Sequence, residues 1–82
     1  MRILGVDYGL KRIGLALSDE SATIALPLDY IDGGQATTVS RELLRLCQER
    51  KVGKIIVGIP LRLDGTASDQ TRLTLEFIAV LR

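Results

Sequence analysis

Asp7 is the first residue of this chain to which chemistry can be attached. It closes the apolar run Ile3-Leu4-Gly5-Val6, and Gly9 follows two residues later. A carboxylate at the carboxyl end of a buried strand can hold a hard divalent cation through its oxygens. The same acid can instead cap a turn, and the residues alone leave both roles open. The chain has no histidine, so the usual general base and the commonest metal ligand are missing. Any hydrolysis must then use carboxylates and metal-bound water. Asp64 precedes Gly65 and reads as half of a turn pair. Asp69 follows Ser68 and reads as an acid in the first turn of a helix. Cys47 is the lone cysteine, which rules out a disulfide framework within one chain and a cysteine-based zinc site. Its neighbours Leu43, Leu44 and Leu46 suit a buried, inert thiol.

The elements that must position Asp7 can be read in chain order. Ile3, Leu4 and Val6 send apolar side chains to both faces, which predicts a central strand covered on both sides. Gly9 supplies the positive φ that a turn requires, and Ile13 to Leu17 returns as a second strand. Asp19 to Ser21 is turn-like. Thr23 to Ile31 reads as a third strand, and Pro27 places it at a sheet edge because proline lacks the ladder donor. Asp32, Gly33 and Gly34 break the pattern.

Ala36 to Arg50 follows helical spacing through Val39, Leu43, Leu46, Cys47 and Arg50, with Leu44 widening the stripe. Arg41, Glu42, Arg45 and Glu49 occupy the other face, where Glu42–Arg45 and Arg45–Glu49 can pair. Gly53 is placed to end the connection. Lys54 to Ile59 then reads as a buried parallel strand, ended by Gly58 and Pro60 and reached by a right-handed crossover. Ser68 caps a second helix whose stripe is Leu73, Phe77, Ile78 and Leu81. That helix runs to the chain end without a cap and reads as cut.

A chain of 82 residues with 46% apolar content forms one domain, small enough to fold with little margin. No apolar run approaches the roughly 20 residues of a membrane helix. The first apolar run stops at Asp7, too early for a signal peptide, so the cytoplasm is the expected compartment. A net charge of +1 gives no support for strong electrostatic binding of nucleic acid.

Two stretches carry a resemblance. RILGVDYGLKRIGLALSD, Arg2 to Asp19, and IIVGIPLRLDGTASDQT, Ile55 to Thr71, resemble the two signatures of the YqgF/RuvX family. These are ribonuclease-H-like proteins named as Holliday-junction resolvases and as nucleases of pre-16S ribosomal RNA. The resemblance implies an α/β fold: a ribonuclease-H-like mixed sheet of order 3-2-1-4 with two helices. Strands one to three would be antiparallel and strand four parallel to strand one. The family continues through a fifth strand with an Asp-Glu-Arg motif and a last helix with another acid. Residues 1–82 are therefore expected to form a single domain truncated before both.

By the same resemblance the function is metal-dependent cleavage of structured nucleic acid, either RNA or branched DNA, with Mg2+ or Mn2+ as cofactor. Asp7 would be the first catalytic and metal-binding carboxylate. The remaining acids would lie beyond Arg82, so the chain alone is expected to be inactive. Lys11 and Arg12 at the first hairpin tip, and Arg62 after strand four, would meet phosphates or serve only as solvated surface charge. Tyr8 is the one candidate for base stacking. With no fifth strand, the bare edge of strand four invites a homodimer or exchange of the terminal helix. Asp7-Tyr8-Gly9 also resembles the first phosphate loop of the actin, sugar-kinase and heat-shock ATPase superfamily, but those proteins need two such domains. A non-catalytic partner-binding fragment is the third reading. Pro60 to Thr66 favours the nuclease family.

Overall fold

Side chains alternate between the two faces of a strand, and that alternation governs which face of this sheet is covered. The computed structural model describes residues 1–9 and 11–81. The elements are β1 (Arg2–Tyr8), β2 (Arg12–Ser18), β3 (Ala25–Asp32), α1 (Ala36–Arg50), β4 (Val52–Val57) and α2 (Asp69–Leu81). They form a mixed sheet of order β3-β2-β1-β4, with β1–β2 and β2–β3 antiparallel and β1–β4 parallel. This is the order the resemblance implied. Pro27 lies on the edge strand β3, opposite Ala16. Leu10 of the expected turn and Arg82 at the expected helix end lie outside the described residues. Among the described residues no helix is long and apolar enough to cross a membrane.

The core joins one face of the sheet to both helices. Leu4, Val6, Ile13, Leu15 and Leu17 pack with Val39 and Leu43 of α1 and with Phe77 of α2. The opposite face carries Ile3, Gly5 and Asp7 of β1, Gly14 and Ala16 of β2, and Lys54 and Ile56 of β4, paired in register. Among the described residues no helix covers it. The expectation of a doubly covered β1 is therefore corrected: the strand is central but buried on one side.

β4 departs from its sequence reading in the same way. Ile55 and Val57 are half-buried on the helix face, whereas Lys54 is exposed and Ile56 is 50% exposed. The strand also begins earlier than expected, and Gly53 lies inside it rather than before it. Lys51 makes the connection instead. It adopts the left-handed conformation (φ 57°, ψ 47°), and its N–H donates to the Cys47 carbonyl, which closes the helix in one residue.

Gly9 has a different role from the one its type suggested. Its φ lies outside the positive range; a Cβ there would stand 2.5 Å from the Arg12 carbonyl oxygen. Close approach of two backbone segments, not turn conformation, explains the glycine. Among the described glycines Gly65 has a positive φ, at 85°.

The helices hold to most of their pattern. Leu44 is 49% exposed, so the α1 stripe is narrower than expected and rests on Val39, Leu43, Leu46 and Cys47. Arg50 is exposed, and its carbonyl accepts a hydrogen bond from Arg2 Nη1 at 3.3 Å. Arg45 and Glu49 approach to 4.0 Å at the surface, an arrangement that contributes at most about 1 kcal/mol; the ion pairs among the described residues do not include Glu42–Arg45. At the start of α2, Ser68 Oγ accepts from the Thr71 N–H at 3.2 Å, and the Ser68 N–H donates to Thr71 Oγ1 at 2.9 Å. The Ser68 and Thr71 N–H groups at the helix start are thereby satisfied.

Phe77 is 0% exposed, and its ring stacks on Tyr8 with centroids 4.2 Å apart and planes 12° from parallel. Phe77→Ala should cost about 3–5 kcal/mol, against a total of about 4–12 kcal/mol expected for 82 residues. Urea titration followed by circular dichroism should show the unfolding midpoint lowered by more than about 1 M, at a slope of about 1–3 kcal/mol per molar urea.

Candidate metal and nucleic-acid face

Asp7 pairs with Gly14 across the β1–β2 ladder and is exposed on the helix-free face. Its main chain is fixed on both sides. The Gly58 N–H, just after β4, donates to the Val6 carbonyl at 3.1 Å. Gln70 Nε2, in the first turn of α2, donates to the Tyr8 carbonyl at 2.7 Å. The acid thus sits at the carboxyl end of a central strand, tied to the start of the loop that follows β4. Gln70 was not singled out in the sequence, because a glutamine in a first turn carries no signal until α2 is laid across β1.

The surface around Asp7 has almost no side chains. Gly5, Gly14 and Ala16 surround it and line a shallow depression of about 320 Å³. A Cβ at Gly14 would lie 3.5 Å from the Asp7 Cβ. Without one, the residue directly opposite Asp7 does not shade the carboxylate. These small residues became meaningful only with the register.

Arg12 shares this face, two residues before Gly14 on β2. Its guanidinium carbon lies 4.7 Å from the centroid of the Tyr30 ring, a cation–π contact worth about 0.5–1 kcal/mol at an exposed site. A bulge creates it. Ile13 pairs with Ile31 but Leu15 pairs with Leu28, so Asp29 and Tyr30 together oppose Gly14, and bulges re-aim side chains in this way. Tyr8 is corrected as the stacking candidate, since its ring lies against Phe77 in the core layer. Tyr30, which the sequence reading passed over, is the exposed aromatic residue on this face.

Lys11 and Arg62 are exposed, and their recorded bonds are made by the main chain. The Lys11 carbonyl accepts from Gly33 at 2.8 Å, and the Arg62 N–H donates to the Thr66 carbonyl at 2.9 Å. No hydrogen bond or ion pair among the described residues joins either side chain to Asp7. Asp69 lies 4.0 Å from Arg72 at the surface of α2. Among the described residues no group of three or more His, Cys, Asp or Glu could hold a metal ion. The exposed carboxylate of Asp7 is a group that could hold a divalent cation on this face.

Two further acids, Asp64 and Asp19, are held in turns by hydrogen bonds. Asp64 Oδ1 accepts from the Thr66 hydroxyl at 2.7 Å and from its N–H at 3.0 Å; these bonds hold the carboxyl below the usual range. Asp19 is lowered likewise by the Thr23 N–H, the Ser21 hydroxyl and the Ile24 N–H. Burial pushes the Cys47 thiol up, in keeping with an inert residue. For a depressed carboxyl the stabilisation is present above the unfolded value of about 3.9 and fades as pH falls through the lower folded value. Carbon-detected NMR titration should therefore find Asp64 lowered, and Thr66→Val should return it towards the ordinary value while leaving Asp19 where it is.

Comparison with known proteins gives these features a family. The RuvX family, described as Holliday junction resolvase, matches residues 1–82. A protein of Maridesulfovibrio salexigens named "Putative pre-16S rRNA nuclease" is 38% identical over 99% of this chain and 60% of its own length. Relatives of the same name from Sulfurihydrogenibium sp. and Rickettsia africae are 42% and 33% identical, over 99% and 92% of this chain and 54% and 49% of theirs. The chain thus spans about half to three-fifths of the length of these curated relatives. Nothing among these matches favours the ATPase fragment. With the family match running from the first residue to the last, over a sheet of the implied order, the chain belongs to the RuvX family.

Proposed function

We propose that this chain carries the first metal-binding carboxylate and part of the substrate face of a metal-dependent nuclease acting on structured nucleic acid. One observation carries the reading: Asp7 stands exposed at the carboxyl end of the central strand, on a face floored by Gly5, Gly14 and Ala16. A polyanionic backbone can come close to a carboxylate-held cation only where no side chain intervenes. Mg2+ or Mn2+ suits this position, because such ions take one or two carboxylates and complete their shell with water and substrate phosphates. Once bound, the ion would supply Lewis-acid charge and an activated water. The part played by Asp7 is to hold it in place, and the bonds at Val6 and Tyr8 fix the strand that does so. Arg12, on the same face, would meet a neighbouring phosphate; Lys11 and Arg62 would add charge at the two flanking loops.

The relatives' name points to pre-16S rRNA and the family description to Holliday junctions. Phosphate contacts and metal hydrolysis suit both. Two-metal cleavage needs several carboxylates, so the 82-residue chain is proposed to be inactive alone, its partner acids coming from sequence such as the longer relatives carry. A free Cys47 outside any disulfide suits the reducing cytoplasm. In a version extended to the relatives' length, Asp7→Asn should lower Mg2+- or Mn2+-dependent cleavage at least ~100-fold, judged against the 10–100-fold typical of groups one shell further out. Rates are compared on pre-16S RNA and four-way-junction substrates, with the melting temperature unchanged. Cleavage retained by Asp7→Asn would overturn the role of Asp7, and Asp7-dependent turnover by the 82-residue chain would overturn its inactivity.

Assembly is part of the proposal. β4 ends the sheet order, and its outer side borders an apolar groove of about 490 Å³ lined by Leu44, Cys47, Val52, Ile55, Ile78 and Leu81. We propose that in the 82-residue chain a second copy covers this edge, by pairing of β4 strands or exchange of α2 about a two-fold axis. Each large apolar side chain buried contributes about 1.5–3 kcal/mol. Light scattering over a dilution series should show a dimer dissociating to monomer. A monomer mass at every concentration would defeat it.

A further inference from the structure

We infer that Arg12 and Tyr30 form a subsite for one unpaired nucleotide of a single-stranded segment, with Tyr30 stacking the base and Arg12 meeting its phosphate. The inference rests on the nucleic-acid reading above and goes beyond it by naming the residues and the strandedness. Tyr30 is 52% exposed even with the guanidinium over its ring. An aromatic ring left this open on an edge strand is a ready stacking platform, and every base has a face to offer it.

The charges around the ring set the orientation of the nucleotide. On one side lies Arg12, which ignores its register partner Asp32 and rests on the ring instead; no Arg12–Asp32 ion pair is formed among the described residues. Its donors remain available to an anion, and stacking limits the conformations they sample. Tyr30 also lines a cleft of about 530 Å³, together with Asp29, Asp32 and Glu42 and without Arg12. Those carboxylates repel a phosphate and accept hydrogen bonds from base amino groups. The sugar-phosphate backbone is thereby directed to the Arg12 side, towards the glycine floor and Asp7, and the base to the cleft.

Arg12 is two residues from Gly14, the partner of Asp7, a diagonal of roughly 7–8 Å between Cα positions. The subsite therefore holds a nucleotide near the one placed at Asp7. A paired base could not enter it, since its face is occupied by its stacked neighbours. The bulge at Asp29–Tyr30 has a use in this arrangement. A regular ladder would set one residue opposite Gly14, and the extra residue brings the ring under the guanidinium.

The test uses the 82-residue chain with a fluorescein-labelled ten-nucleotide single-stranded RNA and a duplex of the same length, read by fluorescence anisotropy at several salt concentrations. Tyr30→Leu should weaken single-strand binding about tenfold, within the range for losing one stacked base, and change duplex binding less than twofold. Tyr30→Phe should keep wild-type affinity, and Arg12→Gln should lower the salt slope by about one. In a Tyr8→Phe background Tyr30 is the sole tyrosine, and its fluorescence should be quenched by the single strand. Unchanged single-strand affinity in Tyr30→Leu, or equal loss on both probes, overturns the subsite and leaves the nucleic-acid reading standing. Absence of binding to either probe by the unmodified chain overturns both.

Discussion

A strand cannot bury adjacent side chains on the same side, and the structure around Asp7 follows from that constraint. Leu4, Val6 and Tyr8 face the helices, so Ile3, Gly5 and Asp7 must face away. The hydrophobic drive that fixes the core thereby also fixes the exposure of the carboxylate. A slip of one residue in β1 would bury Asp7 among Leu15, Leu43 and Phe77, a cost no neighbouring cation offsets. Core and candidate site are therefore two sides of one register, and neither can drift without the other.

Three bonds make that register rigid where it matters. The Tyr8–Phe77 stack fastens the end of β1 to α2 from below, and Gln70 and Gly58 fasten the main chain on either side of Asp7. α2 is itself anchored at its start, where Thr71 exchanges hydrogen bonds with Ser68 and also donates to the Pro60 carbonyl. The long loop between β4 and α2 is thus held at both ends. A carboxylate on a nearly bare surface is in this way held in place without a salt bridge of its own among the described residues.

Most of the fold was legible because its elements are marked by strong local signals. Proline at position 27, the β-branched run before Gly58 and the Ser68 cap each named their element, and the two motif stretches supplied the sheet order. What the sequence did not carry was which residues stand opposite one another. Covering of β1 on both faces was expected because Ile3 is apolar, yet Ile3 remains half-buried on the open side. Tyr8 attracted a role in binding from its place beside Asp7, and parity sends it the other way. Tyr30 gave no local signal, since its position depends on a bulge that exists only in the pairing of β2 with β3. Gly9 was read as a turn residue and Gly53 as the end of a connection, whereas Gly9 accommodates the Arg12 main chain and a Cβ at Gly53 would strike the Met1 side chain.

Lys51 has a consequence for which changes in length the chain can absorb. It is the one residue between the last turn of α1 and the first pairing of β4. Helix and strand are therefore geared together: adding a residue to α1 would rotate its end by about 100° and, with no slack to take up the turn, carry Ile55 and Val57 off the core. The loop from 58 to 68 has no such gearing, and lengthening it costs little entropy. Insertions and deletions among homologous chains should therefore gather after β4 and be purged between α1 and β4.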